Sequence, residues 1–439
     1  MIDSHELRRR DSYLNKLIGF QDTEPVKVIT GIRRCGKSSL LKLMVQHLKD
    51  TGVLPEQIIE MNFESFDFHK MSADDVYRYV KERIITGKRM YLFFDELQRI
   101  KAWEDAVNAF RVDFDCDIYV TGSNAYLLSS EYATYLSGRC VEIKMLPLSF
   151  REFLDFHGFD VRETQSAFGG LRKQVFDKNN ERYELRKVFA AYMRFGGMPG
   201  IADVGLEQEK VLALLDGIYS TVVIRDILER ETRRGQKQIT DPALLRKIIL
   251  FLADNIGSSV SIASIGNTLV NEGLWDDGKR KGTPSAHTVQ AYVNALLESY
   301  FFYEIKRFDI KGKAYLRTLG KYYIVDIGLR NYLLGFRNRD SGHAIENVVY
   351  FELLRRGYDV AIGKIGNDEV DFIATTADEK KYIQVTESMM SEDVRKRELA
   401  PLQSIRDNYE KIVLSLEPGL DTSYDGIKSE NLIDWLLNE

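Results

Sequence analysis

At 439 residues the chain is long enough for two or three domains, and 61 lysines and arginines against 66 acidic residues leave a formal net charge of −5. That balance excludes a globally basic nucleic-acid binder, so any such surface must be local. No apolar run approaches the length of about eighteen residues that a membrane span needs, and the polar N-terminus MIDSHELRRRDSYL is unlike a signal peptide, so a cytoplasmic protein is expected.

The segment before Val26 reads as a charged helix, with Glu6, Arg8, Arg9, Arg10 and Asp11, that braces the core or touches a neighbour. Residues 28–41, VITGIRRCGKSSLL, then spell a phosphate-binding loop in its setting of apolar strand, glycine turn and helix. Gly31 and Gly36 can take backbone angles closed to other residues, so consecutive amides can turn inward around the β- and γ-phosphates of ATP. The helix N-terminus adds partial positive charge. Lys37 is expected on the phosphate oxygens and the Ser38 hydroxyl on Mg²⁺. The nucleotide segment is therefore Gly31, Ile32, Arg33, Arg34, Cys35, Gly36, Lys37, Ser38 and Ser39. Cys35 is one of three scattered cysteines, with Cys116 and Cys140, too few for a disulfide framework or zinc site. Either the helix terminus lowers its pKa and makes it sensitive to oxidation, or it fills a loop position facing no ligand.

In RMYLFFDELQRI, Tyr91 to Phe94 read as a buried parallel strand ending on Asp95 and Glu96. The carboxyl end of such a strand is where doubly wound sheets bind ligands. Asp95 would complete the Mg²⁺ shell beside Ser38, and Glu96 would polarise the attacking water. A third strand, CDIYVTGSNAYLL, ends on Thr121, Gly122, Ser123 and Asn124, a polar tip suited to the γ-phosphate or the water. Arg139, just before the strand-like run Val141 to Met145, is the candidate arginine finger acting on a neighbouring subunit, which makes a homo-oligomer the expected assembly.

From Leu146 the text changes. LPLSFREFLDFHGF turns at Pro147 and starts a helix after Ser149, with Glu152 at capping-box spacing. Helical patterns continue through Tyr183 to Phe195, break at Gly196, Gly197 and Pro199, and resume from Glu207 to Glu231; Arg194 and Arg225 lie here and rank below Arg139 as nucleotide contacts. Residues 242–325 read as a winged helix: three amphipathic helices, then FFYEIKRFDIKGKAYLRTLGKYYIVD turning at Lys311 and Gly312 like a β-hairpin wing. Lys279, Arg280, Lys281, Lys306, Arg307, Lys311, Lys313, Arg317 and Lys321 make this stretch locally basic. It suits double-stranded DNA with the wing on the phosphates, although winged helices also meet proteins.

In the last hundred or so residues Glu346 lies on a helix, EVDFIAT presents Asp371 on a strand, and KKYIQVTES follows as another strand. This order resembles the restriction-endonuclease-like fold, in which a helix glutamate, a strand aspartate and a Glu-x-Lys strand hold Mg²⁺. Here the last element is Gln384, Val385, Thr386, and Glu387 alternates to the opposite face. Lys364 and Lys381 are the candidates to replace the missing lysine, though no spacing requires either. A degenerate domain used for binding or assembly is expected.

The series ITGIRRCGKSSLL, FFDELQ, VTGSNAYLL, YLSGR, LPLSFREF, YMRFGGMPG and TVVIRDIL, in order through nearly the whole chain, resembles the prokaryotic AAA-type ATPases with a C-terminal domain of unknown function. The resemblance implies an α/β protein: a P-loop NTPase (AAA+) parallel-sheet core (1–146) with Arg33 and Arg34 paired in its loop, a helical lid (147–238), a winged-helix domain (239–335) and a restriction-endonuclease-like α/β domain (336–439). It also implies an ATPase using ATP and Mg²⁺ to drive conformational change. The alternative is an ATP-regulated DNA-processing nuclease working through the C-terminal domain.

Overall fold

The computed structural model describes residues 7–123, 138–165, 171–228, 239, 241–271, 284–315, 319–337, 341–419 and 421–438. The chain divides into two compact units, residues 1–146 with 298–300, and 147–297 with 301–439.

In the first unit five parallel strands, β1 (Val26–Thr30), β2 (Ile58–Asn62), β3 (Met90–Asp95), β4 (Cys116–Gly122) and β5 (Cys140–Lys144), lie in the order β2-β3-β4-β1-β5. Helices α1 (Asp11–Gly19), α2 (Lys37–Asp50), α3 (Ala73–Lys81) and α4 (Trp103–Asp113) accompany them. A parallel sheet covered on both faces needs strands that are apolar throughout, and every residue of MYLFFD in β3 is buried. Beneath it Phe94 stacks on Phe110 with ring centroids 5.7 Å apart, amid Val28, Leu92, Val107 and Val120. Each such buried side chain contributes roughly 1.5–3 kcal/mol. The N-terminal helix does brace this core: α1 buries Tyr13, Leu14 and Leu17. Arg10, at its start, donates to the Cys35 carbonyl at 3.0 Å and the Leu146 carbonyl at 2.8 Å.

The second unit opens on the expected capping box: Ser149 Oγ accepts from the Glu152 N–H at 3.0 Å and Glu152 Oε2 accepts from the Ser149 N–H at 2.9 Å, starting α5 (Phe150–Phe156). The next segment is not further helix. Strands β6 (Asp160–Gln165), β7 (Leu171–Phe176) and β8 (Arg182–Tyr183) form an antiparallel sheet. The cause lies in DKNN, where Asp177 Oδ1 accepts from the Asn179 and Glu181 amides at 2.9 and 2.8 Å and Asn180 takes the left-handed region with φ 64°, so the chain reverses. Helices resume with α6 (Leu185–Phe195) and α7 (Gln208–Thr221), the latter running into a wider π-helical turn over Val222–Leu228.

The break after α6 is tied down by one buried carboxylate. Asp326 caps α11 (Ile327–Leu334) through the Leu329 N–H at 3.0 Å and also accepts from the Gly197 N–H at 2.6 Å. Burial raises the Asp326 carboxyl to about 6 from an ordinary 3.8, against the pull of these amides. The folded chain therefore holds this proton more tightly than the unfolded chain, so its contribution is complete below pH about 3.9 and is lost as the pH rises through about 6. Two pK units correspond to about 3 kcal/mol. Asp326→Asn removes that slope, so urea unfolding should find the variant gaining on wild type by about that amount between pH 4 and 7. A pH-independent difference would show that Asp326 does not titrate there.

Between these lie α8 (Pro242–Asp254), β9 (Ser259–Val260), α9 (Ile262–Asn271), α10 (Ala286–Glu298), β10 (Phe302–Ile305), β11 (Arg307–Asp309), β12 (Ala314–Tyr315) and β13 (Gly320–Ile324). Strands β10 and β9 flank β13, both antiparallel to it. The expected hairpin forms, but not as a free wing. β11 pairs with β12 across the turn and also adds in parallel to β14 (Asp359–Ile365), Arg307 opposite Ile362. It thus extends an eight-stranded sheet, β12-β11-β14-β15-β16-β17-β19-β18, with β15 (Asp368–Thr375), β16 (Lys380–Ser388), β17 (Glu410–Glu417), β18 (Ser423–Tyr424) and β19 (Ile427–Asn431). Helices α12 (Ser341–Arg355), α13 (Glu392–Gln403) and α14 (Leu432–Leu437) complete this region. An unpaired strand edge is a ready template for pairing, and β14 offers one to the hairpin. Among the described residues no helix is long and apolar enough to cross a membrane.

Candidate nucleotide-binding site

The strand order places β4 between β1, which carries the phosphate loop, and β3, which carries the acidic pair. The polar tip of β4 therefore stands between the two halves of the site.

Gly31 has φ +141°, and a Cβ there would lie 2.1 Å from the Met145 carbonyl oxygen. Gly36 has φ +105° and opens α2 without a side-chain cap, which leaves the first helical amides to an anion. Lys37 is buried, and its ammonium is held by the Gly31 and Ile32 carbonyls at 2.9 and 3.1 Å, at the loop it is expected to serve. Ser38, Ser39 and Arg34 are exposed. Cys35 is fully buried, with its sulfur against Gly31, which favours the loop-filling alternative over an oxidation-sensitive thiol.

Both oxygens of Asp95 are oriented: Oδ1 accepts from the Thr121 hydroxyl at 2.5 Å and Oδ2 from Asn62 Nδ2 at 2.9 Å. Glu96 follows in the left-handed region, φ 58° and ψ 42°, a conformation costly for a residue with a Cβ. Its N–H donates to Thr121 Oγ1 at 2.9 Å, so one hydroxyl fixes the acidic pair from both sides. The Glu96 carboxylate accepts from Gln98 Nε2 at 2.6 Å and Ser123 Oγ at 3.3 Å. Arg33 Nη2 stands 3.9 Å from it, and Arg33 Nη1 is 3.0 Å from Glu64, which also meets Arg99 at 3.1 Å. The donor set fits Mg²⁺ and a triphosphate: a hydroxyl and an oriented carboxylate for the cation, amides and an ammonium for the anion.

The structure thus brings Gly31, Gly36, Lys37, Asp95, Glu96 and Ser123 to one end of the sheet. Asn124 lies outside the described residues. Arg139 is exposed and does not join its own loop: its carbonyl accepts from the Val26 N–H at 2.9 Å, at the opposite end of β1. Sequence reasoning missed Asn62 and Glu64, which carry no motif, and gave no role to Gln98, although it closes FFDELQ. Asn62 becomes visible only through the register that sets it opposite Asp95. Arg194 bonds Gln208 Oε1 at 2.5 Å, and the Arg225 side chain is outside the described set.

A second cluster lies in the other unit. Glu346 on α12 meets Lys321 Nζ at 3.0 Å and His343 Nδ1 at 3.3 Å and accepts from the Tyr323 hydroxyl. Asp371 Oδ2 accepts from the Val385 N–H at 2.9 Å, and Gln384 Oε1 accepts from the Asp371 N–H at 3.3 Å. The helix glutamate and strand aspartate do converge, as expected, and Glu387 is exposed. The lysine beside them is neither Lys364, whose ammonium bonds the Asn367 carbonyl at 2.6 Å, nor Lys381, paired with Glu379 at 3.0 Å. It is Lys321, buried in β13 and so removed from the basic surface to which its sequence position assigns it.

A P-loop NTPase core of the AAA+ type is thus defined by the sheet order, the loop and the acidic strand end. Residues 23–154 match the family described as AAA domain, and residues 186–340 a domain of unknown function (DUF8612). The chain is 39% identical over 432 residues to a protein of Haemophilus influenzae described as uncharacterized, covering 98% of each. It is 30% identical over 427 residues to a similarly described protein of Methanocaldococcus jannaschii, covering 95% of this chain and 85% of that one. Among solved structures, the Walker-type ATPase of Pyrococcus abyssi is similar at 16% identity and a TM-score of 0.48, over 74% of this chain and 95% of that chain. The chain belongs to the prokaryotic AAA-type ATPases that carry a C-terminal domain of unknown function.

Proposed function

We propose that this chain binds ATP with Mg²⁺ and hydrolyses it to change the contacts between subunits of a homo-oligomer. The observation that carries the reading is the acidic pair at the end of β3, both carboxylates oriented by Thr121, Asn62, Gln98 and Ser123, on the same sheet end as a phosphate loop with open amides. The loop amides and Lys37 bind the phosphates; Ser38 and Asp95 hold the cation; Glu96 accepts a proton from the attacking water, which Ser123 helps to orient. Mg²⁺ when bound supplies positive charge against the phosphate oxygens. Mg²⁺-dependent phosphate release by the purified protein tests the reading, and its absence at any protein concentration would overturn it.

The place of Arg139 supports action in trans. Five residues of β1 put it about 13 Å along the strand from its own loop, too far to serve the loop from which it is separated. Its exposure leaves it available to a neighbour.

We read residues 239–335 as a winged helix that engages double-stranded DNA. Helix, strand, helix, helix and two further strands in a three-stranded antiparallel sheet support the fold, and Lys306, Lys311 and Lys313 are exposed at and beside the hairpin. Lys279, Arg280, Lys281 and Arg317 lie outside the described residues. Charge reversal at Lys311 and Lys313 should weaken DNA binding and flatten its salt dependence, with the logarithmic slope falling by about one for each lost phosphate contact. Fluorescence anisotropy across a salt series measures this; an unchanged slope would remove the hairpin from the DNA surface.

A further inference from the structure

A divalent ion held by Glu346 and Asp371 would have to sit between their oxygens, and that place is taken. The buried Lys321 ammonium lies 3.0 Å from Glu346 Oε1, 2.8 Å from Glu369 Oε1 and 4.0 Å from Asp371 Oδ1. Burial alone would depress Lys321, but Glu346, Asp371 and Glu369 outweigh it and hold the ammonium above its ordinary value, so it stays charged. Burial pushes Asp371 well above the usual carboxylate range, and Glu346 adds to this against the opposing pull of Lys321. Asp371 thus resists ionisation, which makes it a weaker ligand for a hard cation than an ordinary carboxylate. Burial would raise Glu346 too, yet Lys321, His343 and Tyr323 keep it below its ordinary value. The Lys321 ammonium meets the buried Glu346 carboxylate directly, with Glu369 at the partly exposed rim.

The neutral strand fits this arrangement. Gln384 spends its amide on the Asp371 N–H and on Glu398 Oε2 at 3.2 Å, so it is a bridging group and not a spare ligand. Thr386 brings no charge where a second ammonium would be superfluous. Among the described residues no group of three or more His, Cys, Asp or Glu is arranged to hold a metal. The Mg²⁺ that a restriction-endonuclease-like domain implies does not fit these residues.

We infer that the carboxylate cluster of the C-terminal sheet is a cation site permanently filled by Lys321, which joins the three-stranded sheet to the eight-stranded sheet and takes no divalent metal. The lysine comes from β13, while its partners come from α12 and β15, so one ammonium links two sheets and a helix. The domain then holds parts of the chain together and does not cut phosphodiesters.

The test is Mn²⁺ titration of the full-length, nucleotide-free protein by calorimetry and electron paramagnetic resonance. Signals lost on Asp371→Asn belong to this cluster. Wild type and Asp371→Asn should bind Mn²⁺ identically, and neither should nick plasmid DNA. Lys321→Met should gain one Mn²⁺ bound at least about tenfold more tightly than anything in wild type lacking nucleotide, and Lys321→Met with Asp371→Asn should lose it. Wild-type binding or cleavage that disappears with Asp371→Asn overturns the inference, as does a folded Lys321→Met protein that gains no Mn²⁺. Should Lys321→Met fail to fold, the comparison of wild type with Asp371→Asn still decides whether the native cluster takes metal.

Discussion

Glu96→Gln is expected to bind ATP as wild type does and to hydrolyse it about 10²–10⁴-fold more slowly. The amide keeps the size of the carboxyl and an acceptor for the Ser123 hydroxyl, so the left-handed turn at Glu96 has no reason to refold. Only the ability to take a proton is lost. Lys37→Ala should instead act on binding. Its ammonium is already buried at the loop, held by the Gly31 and Ile32 carbonyls, so a triphosphate gains a preplaced charge-assisted donor. Removing that donor costs about 2–3 kcal/mol, roughly 30- to 150-fold in ATP affinity. A fluorescent nucleotide titration beside a phosphate-release assay separates the two variants. Equal phosphate release by Glu96→Gln and wild type would remove Glu96 from its role.

Arg139→Ala is expected to lower hydrolysis by about 10³-fold or more while leaving nucleotide affinity and folding intact. Arg139 is exposed, and its backbone, not its side chain, makes the bond to Val26. A finger supplied from a neighbour makes specific activity rise with protein concentration. It also permits complementation: at an ATP concentration too low to load Lys37→Ala, that variant mixed with Arg139→Ala can form an interface that pairs an intact loop with an intact finger. Activity should reappear on mixing. Demonstrated subunit exchange without recovery would give Arg139 another role.

The nucleotide site is legible in the sequence because its parts are local. Four of its features, the glycine turn, Lys37, the Ser38 hydroxyl and the Asp95–Glu96 pair, each sit within a few residues of a strand end that the apolar pattern itself reveals. Asn62 and Thr121 are not legible as partners of Asp95, because their roles come from neighbouring strands and thus from register. The three-stranded sheet of residues 160–183 is hidden among helical patterns, which flank it on both sides and outweigh the turn chemistry of DKNN.

The C-terminal cluster divides in the same way. The sequence shows directly that Gln384 and Thr386 stand where a nuclease strand carries its charged pair and that Glu387 alternates to the other face, whereas the meeting of the helix glutamate with the strand aspartate was implied by the resemblance to the restriction-endonuclease-like fold. Only the tertiary structure decided which cation meets them. Lys321 is 25 residues from Glu346 and belongs to another sheet. From its spacing it reads as one more lysine of a basic hairpin. Packing turned it inward, because the buried Glu346 carboxylate, with Asp371 beside it and Glu369 at the partly exposed rim, needs a compensating positive charge, which β13 supplies.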